Sequence, residues 1–301
     1  MTNTSYKHKV LSVSIATVAA YFGFQALDLI SGIYQVHEYF AVAWYVAFFH
    51  AFWLAFIFDL HLKTGGHLTA AREAYSGTRA FWHAFKTRTH HLYHWRYVRH
   101  YMNYLILPTV LYWSVVILIY LNPFHELFKD GLIIVSTVGM GLTYWHLKEV
   151  FTMNMEVHHL GLRVLALVKL LAAYLAFTAL MALGWYFGLN LLLVMVVVAL
   201  IVFLLLYQGL FQHKLMRLEV YPLVIMFSIL VTLVFAVVFQ KWNVNYYTAG
   251  LLVAVVYNTV WGLLHRYLDR TLTRKLMWEY IFMLVVLVSL VLATHDFQGR
   301  I

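Results

Sequence analysis

The chain has no cysteine. That removes disulfides, thiolate nucleophiles, iron–sulfur clusters held by thiolates, and haem or zinc ligated by Cys, so any bound metal must rely on His and carboxylate. Charge is also scarce. Only 11% of residues are Asp, Glu, Lys or Arg while 63% are hydrophobic, with a mean hydropathy of +0.77; soluble domains carry about 25% charged residues. Such a chain belongs in a membrane. Its three prolines and long apolar runs lack the period-2 alternation of a barrel, and lipid forces each span to satisfy its own backbone hydrogen bonds. The expected fold class is all-α: a polytopic integral membrane protein of about nine transmembrane helices, with a cytoplasmic amphipathic helical loop between helices 2 and 3.

A span requires about 20 predominantly apolar residues. Nine stretches meet that need, at roughly 10–30, 39–60, 101–122, 131–151, 164–187, 190–211, 221–240, 248–266 and 278–294. The first follows Lys7 and Lys9 and exceeds the length of a signal-peptide core, so it reads as a retained span. With the N-terminus inside, 18 of the 21 Lys and Arg fall on the inner side, leaving Lys129, Lys241 and Arg300 outside. This predicts a cytoplasmic N-terminus and an outer C-terminus, in a plasma or inner membrane. Lys169, six residues past Arg163, is expected to snorkel to the interface. The net charge of +9 then has a topological origin and does not imply nucleic acid. Two parts are expected: residues 1–163, a His-rich four-helix membrane domain with a metal site, and 164–301, a five-helix membrane domain without assigned chemistry.

What the chain has in unusual supply is histidine. Eleven of its seventeen histidines lie between His50 and His159. Imidazole is the commonest metal ligand and titrates near neutrality, so such a cluster beside a membrane points first to a metal site. His61 and His67 leave the inner end of span two; His90, His91 and His94 form H-H-L-Y-H in the 61–100 loop; His146 ends span four; Glu156, His158 and His159 follow it as E-V-H-H. Residues 79–100 contain no Gly or Pro. On a helix there, His83, His90 and His94 share one face, with Arg88, Arg96 and Arg99 opposite, where they would meet anionic headgroups. If 146–159 were one helix, Glu156 and His159 would repeat the i, i+3 carboxylate–imidazole pairing of helical di-iron sites.

In this order and placement the clusters resemble the histidine boxes of the membrane-bound fatty acid desaturase and hydroxylase superfamily: H-L-K-T-G-G-H at 61–67, H-H-L-Y-H at 90–94 and M-E-V-H-H-L at 155–160, over about residues 1–165. Five residues separate His61 from His67, the adjacent pair opens the second cluster, and Met155 stands three positions before the third pair. The resemblance implies a metal-dependent oxidoreductase, with two iron ions, or zinc, held by His61, His67, His90, His91, His94, His146, Glu156, His158 and His159 at the cytoplasmic face. Its substrate would be a membrane lipid or acyl chain, and its electrons would come from a separate donor.

Other readings stand beside it. A non-enzymatic polytopic scaffold or lipid-interaction protein would carry the same histidines as companions of the positive-inside bias. His50, about ten residues inside span two, and His146 are candidates for b-type haem ligation, although a lone His in a bundle is more often simply satisfied there. A transporter is disfavoured by the scarcity of deep charge. Oligomerisation stays open.

Overall fold

The computed structural model describes residues 3–62, 95–121, 126–152, 159–212, 220–242 and 244–293; side chains of α2 are described as far as His50, and those of α3 from Leu105. Among the described residues there are nine helices and no strand: α1 (Asn3–Ser31), α2 (Val36–Leu62), α3 (Trp95–Leu121), α4 (Glu126–Thr152), α5 (His159–Tyr186), α6 (Leu191–Gln212), α7 (Tyr221–Lys241), α8 (Tyr246–Leu268) and α9 (Arg274–Ala293). Each apolar stretch of the sequence lies on one of these helices. Six contain segments long and apolar enough to cross a membrane: Val13–Ser31, Arg163–Tyr186, Leu191–Leu210, Tyr221–Lys241, Tyr246–Leu268 and Arg274–Ala293. The protein is an all-helical integral membrane protein.

Several hydroxyls of these helices bond to their own backbone. Ser114, Thr143, Ser228 and Thr232 each donate to the carbonyl four residues earlier, at 2.6, 2.7, 2.8 and 2.7 Å. Such back-bonding satisfies these four hydroxyls inside their own helices. Turns are marked by ordinary stop and start chemistry. Between α5 and α6, Gly188 takes φ +59°, which an L side chain tolerates poorly, and the Asn190 carboxamide accepts the Leu192 N–H at 2.9 Å. Asn245 caps α8 in the same way through Tyr247 and Thr248.

Helix α5 is the centre of the bundle. It packs most extensively on α8 and α3, and also on α4 and α6. Small residues allow this: Ala172, Ala173, Ala176 and Ala179 are buried on α5. On α8, a Cβ added at Gly250 would come within 2.7 Å of the Thr178 backbone nitrogen and 2.8 Å of its Cα. In lipid, where apolar burial gives little drive, such close backbone approach supplies the dispersion contact that associates helices. At the N-terminal side α1 lies on α4, where Gly141 faces Thr17 and Asp28 pairs with Lys129 at 3.0 Å.

Lys169 departs from its expected interfacial position. Its side chain is 1% exposed, with Nζ 4.8 Å from the centroid of the Trp261 ring on α8. The residue lies on the face of α5 turned towards α8, so the cation is directed into the bundle and onto an indole face, where the ring quadrupole attracts it.

Two helices occupy edges. Helix α2 packs on α3 and α1, whereas α9 packs on α8 and has no buried residue.

Candidate functional site

The α2–α3 seam is built from aromatic residues that reach across to the opposite backbone. The Tyr39 hydroxyl on α2 donates to the Val116 carbonyl on α3 at 2.9 Å, and the Tyr112 hydroxyl on α3 donates to the Ala43 carbonyl on α2 at 2.8 Å. A helical carbonyl keeps a second lone pair after serving its own helix, so these bonds cost the helices nothing. Ala43 is fully buried and lets the helices approach. Tyr39 packs on Tyr120 with ring centroids 4.9 Å apart, and Trp44 packs on Trp113 at 4.6 Å.

One to two turns further along, the two helices leave a half-open recess of about 210 Å³, lined by Trp44, Ala47, Phe48 and His50 from α2 and Thr109, Tyr112 and Trp113 from α3. Its outer wall faces away from the bundle, for Trp44 is 64% and Phe48 76% exposed. None of the seven lining residues is Asp, Glu, Lys or Arg. The polar groups are the His50 imidazole, the Tyr112 hydroxyl, which is committed to Ala43, the Thr109 hydroxyl and the indole N–H groups.

His50 is fixed in place from two sides. Its Nε2 is 3.1 Å from the Tyr144 hydroxyl on α4, and its ring lies 6.1 Å from that of Tyr112 at an interplanar angle of 18°. Tyr144 is buried. Where the phenol donates to Nε2, the neutral imidazole carries its hydrogen on Nδ1 and offers a donor there. Pro108, the residue before Thr109, lies inside α3, which begins at Trp95. Without an N–H, Pro108 also gives no bond to the carbonyl four residues back.

The histidines singled out in the sequence divide differently. His67, His90, His91, His94, Glu156 and His158 lie outside the described residues. His61 lies on α2 and His159 opens α5, their side chains also outside the description. Helix α4 is described as far as Thr152 and α5 from His159, so the pairing of Glu156 with His159 on one continuous helix lies outside the described residues. His146 is buried on α4. It follows Tyr144 by two residues, about 200° around the helix axis, so when Tyr144 meets His50, His146 is directed elsewhere. Among the described residues no three His, Asp or Glu side chains gather where one ion could be held.

Seven lining or supporting residues, Trp44, Ala47, Phe48, Thr109, Tyr112, Trp113 and Tyr144, were not distinguished by the sequence. The available signal was the aromatic density of α2 and α3 around the mid-span His50; which aromatics would meet is a property of helix pairing.

Comparison with known proteins corrects the desaturase–hydroxylase resemblance. No family model of that superfamily matches the chain. The clusters share residue type and order with histidine boxes but not the internal spacing that sets which imidazoles converge. No curated protein and no solved structure matches either. The family model that does match covers residues 28–294, from the end of α1 to the end of α9, and by that match the chain belongs to the family described as protein of unknown function (DUF5656).

Proposed function

We propose that this is a nine-span membrane protein that binds a lipophilic molecule, drawn laterally from the bilayer, in the recess beside His50. The observation that carries this reading is the combination at one place of an outward opening, flat aromatic walls, no formal charge among the described lining residues and an imidazole anchored by a tyrosine. Sites for small apolar ligands have that composition: mostly apolar lining with few polar groups to orient the guest. An intramembrane histidine is costly to keep unless it serves something. What supports nine spans is the length of α2, α3 and α4, 27 residues each, against the roughly 20 required. The distribution of Lys and Arg supports a cytoplasmic N-terminus and an outer C-terminus.

The test is photolabelling of the purified full chain with a small apolar aryl diazirine, mapped by peptide mass spectrometry. Label is expected on Trp44, Phe48, Thr109 and Trp113, and an Ala47→Trp substitution, which fills the recess, should remove it while sparing the exposed face of α9. Label spread over exposed apolar faces regardless of that substitution would overturn the reading.

The metal-dependent oxidation of lipid chains rests on His146, buried on α4, and on His61, His67, His90, His91, His94, Glu156, His158 and His159, whose side chains lie outside the description. Elemental analysis decides it. Iron or zinc at one or more equivalents, lost in a His90→Ala, His91→Ala double variant, would replace the present reading with an oxidoreductase.

A further inference from the structure

We infer that the recess is shaped for the ring of an isoprenoid quinone, with the polyprenyl tail left in the bilayer. This rests on the reading of the recess as a ligand site and names the class of guest. The first argument is shape. Trp44 and Trp113 meet at 59° with centroids 4.6 Å apart, and Tyr112 lies nearly parallel to His50, so the walls are planar rings and not branched aliphatic side chains. Flat π-faces pack well against a flat conjugated guest and poorly select a flexible acyl chain. The available volume, about 210 Å³, suits one substituted six-membered ring.

The second argument is hydrogen-bond polarity. Where Tyr144 donates to Nε2, His50 carries its hydrogen on Nδ1, and the lining also includes Thr109 and two Trp residues, whose hydroxyl and indole N–H groups are potential donors. A mostly apolar lining with a few such donors, and no formal charge among its described residues, calls for a neutral guest carrying acceptor oxygens. Phosphate or carboxylate headgroups would enter without a counter-charge, a heavy cost away from water. A simple hydrocarbon would leave the donors unused. Ring carbonyls satisfy both conditions.

The third argument is access. Trp44 and Phe48 border the opening on the outward face of α2. His50 lies about 21 Å of helix from the start of α2 and about 18 Å from its end, so the opening lies near mid-depth, where a quinone ring and tail diffuse and where headgroups do not reach.

The experiment measures displacement of the aryl diazirine label from the recess of the full chain by a short-tailed benzoquinone, against a tail-matched ring analogue lacking oxygens. The analogue partitions more strongly into the micelle, which biases the comparison against the proposal. The quinone is expected to displace label at a concentration at least about ten-fold lower, a difference of one to two hydrogen bonds. Thr109→Val should reduce that advantage about five-fold, and Thr109→Ser should keep it. Equal potency of the two competitors, or no effect of Thr109→Val, would overturn the quinone assignment while the recess remains a ligand site. Absence of recess labelling altogether would remove both.

Discussion

Helices α2 and α9 both lie at edges of the bundle and are held by different forces. On α2, Tyr39 and Ala43 are buried, and two side chain to backbone hydrogen bonds plus the His50–Tyr144 contact tie it to α3 and α4. On α9 no residue is buried; Trp278, Phe282, Met283 and Val285 are exposed, and the helix leans on α8 where Tyr280 meets Gly262. Where apolar surface is equally at ease in lipid and in protein, burial alone does not fix an edge helix, and directional bonds do. The α2 edge, which has such bonds, encloses a recess of defined shape. A ligand site needs walls that stay put, and α2 has the means to hold them.

Three variants would break or sharpen that contrast. The largest effect is expected from neither edge but from the central seam that both depend on. Gly250→Leu would drive a side chain into the Thr178 backbone and should cost about 3 kcal/mol or leave no folded protein, read as loss of the monodisperse peak and of the unfolding midpoint in detergent. Next is the double change Tyr39→Phe, Tyr112→Phe. It removes both cross-helix bonds while keeping both rings, and should lower stability by about 1–2 kcal/mol, with weaker diazirine labelling of the recess. Smallest is Trp278→Ala with Phe282→Ala on α9, expected to stay within about 0.5 kcal/mol because both rings already face outward. If the α9 pair destabilised the protein as much as the α2 pair, the proposed difference between the edges would be gone.

The contrast also explains what the amino-acid sequence disclosed. The helices were legible because a membrane demands long uninterrupted apolar runs, and each of the nine runs is a helix. Their ends were less so: α1, α3 and α5 begin earlier than the apolar stretches do, because polar and aromatic residues such as Trp95 and His159 continue a helix past its hydrocarbon-facing part. The α5–α6 hairpin was visible in Gly188 and Asn190, whose backbone and capping chemistry is local. The recess was not. Helices apolar all round do not announce which face packs, so nothing in the spacing of Trp44, Phe48, Thr109 and Trp113 says that they meet. Lys169 shows the same limit: its distance from Arg163 suggested the interface, whereas its side chain is buried and lies against Trp261 of α8. The conspicuous histidines drew the reading towards metal chemistry because imidazoles are rare and chemically versatile. Their internal spacing did not match histidine boxes, and the family match lies elsewhere.

The claim that most needs testing is occupancy of the α2–α3 recess by a molecule from the bilayer. Native mass spectrometry of the full chain, released gently from lipid nanodiscs, tests it directly by comparing the wild type with Ala47→Trp. The account predicts a lipophilic adduct near one equivalent on the wild type that is missing from the filled variant. Identical adduct patterns on the two proteins would contradict it.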